Sequence, residues 1–238
     1  MLIYLDLETT GLEKNDRVCA IGIIAVEAEE AATYADLIKP PRKIRPDAMA
    51  VHHITNEMVK EKPAFNASAA VAWLKEHNES DNILVAHNIG FDLAMLEREG
   101  LVWQGRIIDT LRCSKHLIAE VEQFALQYLR YELGLYKEEE EAARALGIAV
   151  SAHTALSDAL HVKLLHQYLR EMADDERLCR LTHERVLLQK FGFGKYKERY
   201  IEEIALSDPG YLEWMLNNMF DMDEDLRYSV EYYLKEVR

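Results

Sequence analysis

Asp6 and Glu8 stand two residues apart in the otherwise apolar stretch YLDLETTGL, residues 4–12. On a strand, residues i and i+2 point to one face. Two carboxylates about 4 Å apart repel by roughly 4 kcal/mol at an effective dielectric of 20. A divalent cation would offset that repulsion, and magnesium takes oxygen ligands while keeping waters or substrate phosphates. Taken alone, the pair reads more simply as a solvated edge face ending in a turn at TTGL.

Two further constellations change the reading. ILVAHNIGFDLAML (83–96) ends a buried strand in His87 and Asn88 and opens a helix carrying Asp92. Asn88 can cap that helix, which puts Asp92 in its first turn near the positive end of the dipole. By spacing alone, Phe91 and Leu96 read as core. In HTALSD (153–158), His153 and Asp158 are five apart. That step turns about 140° on one helix, so His153 belongs on the loop before it. A loop histidine can take a proton from water, although a lone polar-loop histidine is commonly just a surface residue. His161 and His166 read as ordinary helical residues. Four acids and a histidine together describe a two-metal phosphodiester hydrolysis site, with ions roughly 3.5–4 Å apart.

The elements that must position these groups follow from periodicity. Residues 1–7, 17–28 and 31–40 read as a three-stranded meander. Segment 40–47 holds three of the five prolines and reads as a loop. Helices are expected over 67–77 and 91–99, a short strand over 81–88 and another over 105–109. Two more helices fall within 110–146, separated near Gly134, and the helix carrying Asp158 runs to about residue 170. Strands that then alternate with helices predict an α/β fold with a mixed sheet flanked by helices. Beyond residue 171 the texture becomes charged and helical, then rich in glycine, aromatic and basic residues over FGFGKYKERY (191–200). The expected organisation is a domain over 1–171 and a small α+β extension over 172–238.

With 238 residues, 49% of them hydrophobic, the chain can bury one good core. No apolar run reaches the roughly 18 residues that cross a bilayer, and no signal peptide is apparent. Three scattered cysteines fit a reduced, cytoplasmic compartment. The net charge of −14 argues against non-specific coating of nucleic acid, which phosphate neutralisation drives. It leaves room for an enzyme whose metal ions supply positive charge at one strand end.

DLETTGL, HNIGFDLAML and HTALSDA, in this order over residues 6–159, resemble the three exonuclease motifs of the DEDD superfamily, histidine subtype. The resemblance implies a ribonuclease H-like fold and 3′→5′ release of nucleoside monophosphates. It implies that Asp6, Glu8, Asp92 and Asp158 hold two Mg²⁺ or Mn²⁺ ions and that His153 is the general base. AVHHITNEMV (50–59) is similar to the family segment that contacts the 3′-terminal nucleotide, with His52 at its usual histidine. Thr10, Gly11 and Leu12 are similar to residues that contact the terminal sugar and base, and Leu12 is placed to wedge against the last base. Asn88 and Phe91 join these expected substrate contacts. The tail, with FGKY and DPGYL, resembles the C-terminal region of the exodeoxyribonuclease X family. Segment 113–150 departs from the pattern.

Read from residues alone, Lys195, Lys197 and Arg199 with Phe193, Tyr196 and Tyr200 interleave cations with rings, and such a surface binds phosphates and stacks on bases. The plainer alternative is a β-hairpin with its rings in a small core. Lys195 and Lys197 are the expected contacts to the DNA backbone, while Arg42, Lys43 and Arg45 are placed to guide the strand. The expected partner is a DNA 3′ end, single- or double-stranded, in repair or proofreading. A homodimer through the apolar, aromatic-rich tail helix is a further expectation. Two rival readings stand beside this one: an exoribonuclease on the same fold, and a subunit whose main task is binding a polymerase or repair complex.

Overall fold

The computed structural model describes residues 1–28, 30–149 and 154–237. His153, the expected base, lies outside the described residues. Five strands form one mixed sheet: β1 (Leu2–Thr9), β2 (Val18–Glu27), β3 (Glu30–Leu37), β4 (Ile83–Ala86) and β5 (Arg106–Asp109). Their order is β3-β2-β1-β4-β5. The first three pair antiparallel, whereas β4 runs parallel to β1 and β5 parallel to β4.

The helices in chain order are α1 (Pro46–His52), α2 (Asn56–Val59), α3 (Ala69–Glu76), α4 (Ile89–Arg98), α5 (Thr110–Leu117), α6 (Leu126–Glu132), α7 (Glu139–Leu146), α8 (Ala155–Arg170), α9 (Asp175–His183), α10 (Ile201–Ser207), α11 (Pro209–Asn218) and α12 (Glu224–Glu236). The proline-rich stretch is thus a loop only to Arg45. Pro46 supplies a fixed φ at the first helical position, and α1 starts there.

Strand alternation decides what meets what. Ile3, Leu5 and Leu7 pack with α3 and α4 on one face, joined by Val71, Leu74, Met95 and Leu96. Tyr4, Ile24 and Val85 pack on the other face with Leu160, Leu164 and Leu165 of α8. Because the period is two, Asp6 and Glu8 share the face of Tyr4, the one that α8 covers.

Gly22 fixes how closely α8 approaches. It pairs with Asp6 across β1 and β2. A Cβ there would lie 2.3 Å from the Ala155 carbonyl carbon and from the Leu156 nitrogen. The first turn of α8 therefore rests directly on the sheet beside Asp6. The β1–β2 register also shifts between Glu8 and Thr9, a bulge at the end of the acidic pair.

Past α8, α9 packs Leu178 and Leu181 into the same cluster as α8, although composition groups it with the tail. A separate cluster begins beyond it, built from Phe191, Ile201, Ile204, Leu212, Met215, Leu226 and Val230. Among the described residues, the β content of this extension is two isolated bridges, Lys190 with Tyr200 and Phe191 with Lys197. A hairpin ladder does not form, because Gly194 and Glu198 take positive φ and turn the chain twice within the segment. Arg112 of α5 clamps the extension, its guanidinium meeting both oxygens of Asp225 at 2.9 and 3.1 Å. Asp225 also accepts the Val186 N–H at 2.9 Å.

Candidate metal and nuclease centre

The sheet and α8 bring Asp6, Glu8 and Asp158 together, with one carboxylate oxygen of each within 4.8 Å of the others. Asp92 enters from the first turn of α4 and is only 5% exposed. Burial, then the charges of Asp92, Glu8 and Asp158, push Asp6 well above the usual carboxylate range. Glu8 is pushed up to about 8 by burial and then by Asp158 and Asp92. Asp92 is also raised well above its ordinary value by burial, with Asp109 adding to it. The backbone N–H groups of Asp92 and Leu7 partly offset that rise. Asp6, Glu8 and Asp92, raised by burial and by one another's charge, lack a positive charge. The donor set is all oxygen and partly dry, which fits a hard divalent cation.

Asn88 stands at the N-cap of α4, but its side chain makes no capping bond. It adopts left-handed φ 64 and ψ 48, which asparagine tolerates, and its N–H donates to Asp109 Oδ1 at 3.0 Å. The same oxygen accepts from Leu111 N–H at 2.9 Å, so Asp109 ties the starts of α4 and α5 together. His87 is turned away from the acids, toward Thr110 Oγ1 at 3.0 Å and the Phe124 carbonyl at 2.8 Å.

Beside the acids lies a cleft of about 510 Å³ lined by Glu8, Gly11, Leu12, Val51, His52 and Phe91. Leu12 is 83% exposed at its edge. Gly11 is required here, since a Cβ would lie 2.5 Å from Asp16 Oδ2 and 3.1 Å from Arg45 Cδ. Thr10 lies beneath the cleft and not on its wall. Its fully buried hydroxyl donates to Asp16 Oδ1 at 2.7 Å and accepts the Arg17 N–H at 3.1 Å, so it braces the turn. His52 lines the cleft with its ring, while both nitrogens are committed. Nε2 donates to the Thr9 carbonyl at 3.1 Å, and Nδ1 accepts from Ile54 N–H at 3.0 Å. Burial lowers its pKa, in keeping with this neutral role.

Lys195 and Lys197 lie in the extension. Both are exposed; Lys195 pairs with Asp208 at 3.2 Å and sits over the Tyr196 ring at 4.5 Å, and among the described residues Lys197 has no ion pair. Sequence reading missed His161. It is buried on α8 with Nδ1 3.2 Å from Asp158 Oδ1, and the signal was the i, i+3 spacing from Asp158.

The sequence profile of the family described as Exonuclease matches residues 3–165. The chain belongs to the exonuclease family. It is therefore a nuclease, a phosphodiester hydrolase, and nucleases of this family and fold depend on metal. A second profile, described as Exodeoxyribonuclease X-like C-terminal, matches residues 191–220. Exodeoxyribonuclease 10 of Escherichia coli strain K12 is 28% identical over the whole of both chains. The DNA polymerase III subunit epsilon of Treponema pallidum is 31% identical over 55% of this chain and 63% of its own length. Among solved structures, exonuclease X in complex with 5′ overhanging duplex DNA aligns with a TM-score of 0.58 at 24% identity. It covers 76% of this chain and 99% of that one. These structural neighbours share the mixed five-stranded sheet flanked by helices, the ribonuclease H-like fold expected from the motifs.

Proposed function

We propose that this nuclease is a cytoplasmic 3′→5′ exodeoxyribonuclease that releases nucleoside 5′-monophosphates from DNA ends in repair or proofreading. The observation that carries this reading is the convergence of Asp6, Glu8 and Asp158, faced by Asp92, beside a cleft of nucleotide size. The full-length likeness to an exodeoxyribonuclease supports DNA as the substrate, and the structure named for a duplex DNA complex supports double-stranded as well as single-stranded ends.

Asp6, Glu8, Asp92 and Asp158 would hold two Mg²⁺ or Mn²⁺ ions. When bound, such ions neutralise the scissile phosphate and make water a better nucleophile at neutral pH. The terminal sugar and base enter the cleft against Gly11, Leu12, His52 and Phe91, and Asn88 at the start of α4 is a further expected substrate contact. The attacking water forms a bond to phosphorus as the bond to the 3′ oxygen of the penultimate nucleotide breaks. His153 accepts the proton of that water, and the 3′ oxygen leaves to be protonated from solvent. Lys197 and, less directly, Lys195 and the Arg42–Arg45 loop contact the strand backbone. The junction between catalytic domain and extension falls after His183, a placement supported by the packing of α9 with α5 and β5. Homodimerisation through the exposed Leu206, Trp214 and Phe220 belongs to the same reading, and a monomer mass by light scattering would remove it.

The test is digestion of end-labelled DNA and RNA of matched sequence by the wild type and His153→Ala. DNA should be shortened much faster than RNA. His153→Ala should lose about 10²-fold or more in rate while keeping metal binding. Equal cleavage of RNA would favour the exoribonuclease, and near-normal activity of the variant would reject the base.

A further inference from the structure

Asp158 is held by a closed ring of polar side chains from three helices. Gln127 Nε2 donates to Asp158 Oδ1 at 2.7 Å, and His161 Nδ1 lies 3.2 Å from the same oxygen. His161 Nε2 faces Glu139 Oε2 at 3.3 Å, off the line of a formed hydrogen bond. Arg130 grips both oxygens of Glu139, at 2.5 and 2.9 Å. Arg130 Nη1 then reaches Gln127 Oε1 at 3.3 Å and closes the circuit. The orientation of the Gln127 amide follows from this circuit, because the flipped amide would set carbonyl against carboxylate and amino group against guanidinium.

Stability alone does not account for such a ring. It is embedded among Leu129, Leu135, Ala143, Ala159 and Leu160, where well-packed apolar residues of similar volume serve the fold as well or better. Gln127, Arg130 and Glu139 all come from segment 113–150, between the second and third motifs and within the residues that the exonuclease profile matches.

We infer that Gln127 and His161, backed by the Arg130–Glu139 pair, are positioning residues that fix the Asp158 carboxylate for metal binding. Their bonds converge on Oδ1. Fixing one oxygen of a carboxylate sets the direction of the other, and two bonds to the group suppress its rotation. The ring thereby sets the affinity of the centre for its cation. This inference rests on the metal-site reading of the four acids.

The experiment is a Mn²⁺ titration of the metal-free protein, with free Mn²⁺ read by electron paramagnetic resonance. It compares the wild type, Gln127→Leu, Gln127→Glu and Asp158→Asn. Gln127→Leu keeps the volume and removes the donor, whereas Gln127→Glu sets a carboxylate against Asp158. Metal-free melting temperatures are measured alongside, and either Gln127 variant that melts like the wild type decides the question. The Gln127 variants should bind Mn²⁺ about 10–100-fold more weakly. The Mg²⁺ concentration for half-maximal nuclease activity should rise in step, with activity at saturating Mg²⁺ falling less. Unchanged Mn²⁺ affinity in a folded Gln127 variant, with Asp158→Asn defective, overturns the ring's role and leaves the metal site standing. Unchanged affinity in Asp158→Asn overturns both.

Discussion

Glu8 shows the tension at the heart of the site. Its ordinary value of 4.5 rises to about 8 in the fold, through burial and the neighbouring acids. The folded protein therefore holds this proton more tightly than the unfolded chain does. Stability from this group is complete below about pH 4.5 and is lost as pH climbs through about 8. The metal-free protein should melt at a lower temperature at pH 8.5 than at pH 5.5. Glu8→Gln should flatten part of that slope. Mg²⁺ or Mn²⁺ should raise the melting point most at the alkaline end, where the acids are free to ligate. A metal-free melting profile that ignores pH would contradict the crowding of these acids. Residue types and spacing singled out Asp6, Glu8, Asp92 and Asp158, and the fold brings Asp6, Glu8 and Asp158 into one cluster with Asp92 beside them. The same sequence did not reveal that Thr10 is spent on Asp16, or that His52 has both nitrogens engaged by backbone. Those roles depend on partners distant in the chain or on a turn whose geometry no local pattern encodes.

At the scale of elements, the position of α8 decides whether Asp158 reaches Asp6. Gly22→Ala would drive a methyl group into the backbone of Ala155 and Leu156. The helix must then lift or slide, so the variant should lose roughly 1–3 kcal/mol of stability in urea unfolding. Its metal affinity should fall at least tenfold, because Asp158 moves with the helix. Wild-type stability and metal affinity would show that α8 does not rest on the sheet as described. Strands and helices of the catalytic half were readable because β1 alternates from Leu5 to Glu8 after an apolar start and β4 is a short continuous apolar run. The ring around Asp158 was not readable, because Gln127, Arg130 and Glu139 lie on helices whose mutual packing is a tertiary fact. In the extension, interleaved rings and cations left open a DNA-facing surface or a hairpin with its rings in a small core. Phe191 and Tyr196 do enter a small core, but a helical one, and the segment forms two isolated bridges where a hairpin was expected.

For the whole molecule, a net charge of −14 must coexist with a polyanionic substrate. On the proposed reading, cations held by the acids would offset that charge at the scissile bond, and lysines away from it would serve the rest of the strand. Both tail lysines are exposed, but Lys195 pairs with Asp208 and lies over Tyr196 and Tyr211, whereas among the described residues Lys197 has no ion pair. Lys197→Ala should weaken DNA binding and reduce the magnitude of the log K against log salt slope by about 0.7–0.9, as loss of one phosphate contact does. Lys195→Ala should act mainly on the stability of the extension. An unchanged salt slope for Lys197→Ala would remove it from the interface. On the proposed reading Asp6, Glu8 and Asp158, faced by Asp92, hold metal for hydrolysis from a DNA 3′ end. Its most direct test is digestion of a 5′-labelled DNA strand, with products resolved by length and the released nucleotide identified. With Mg²⁺ the strand should shorten stepwise from its 3′ end and release nucleoside 5′-monophosphates, and both EDTA and Asp6→Asn should stop it. Shortening that persists in EDTA, or a preparation that cuts no DNA with Mg²⁺ or Mn²⁺ present, would contradict the account.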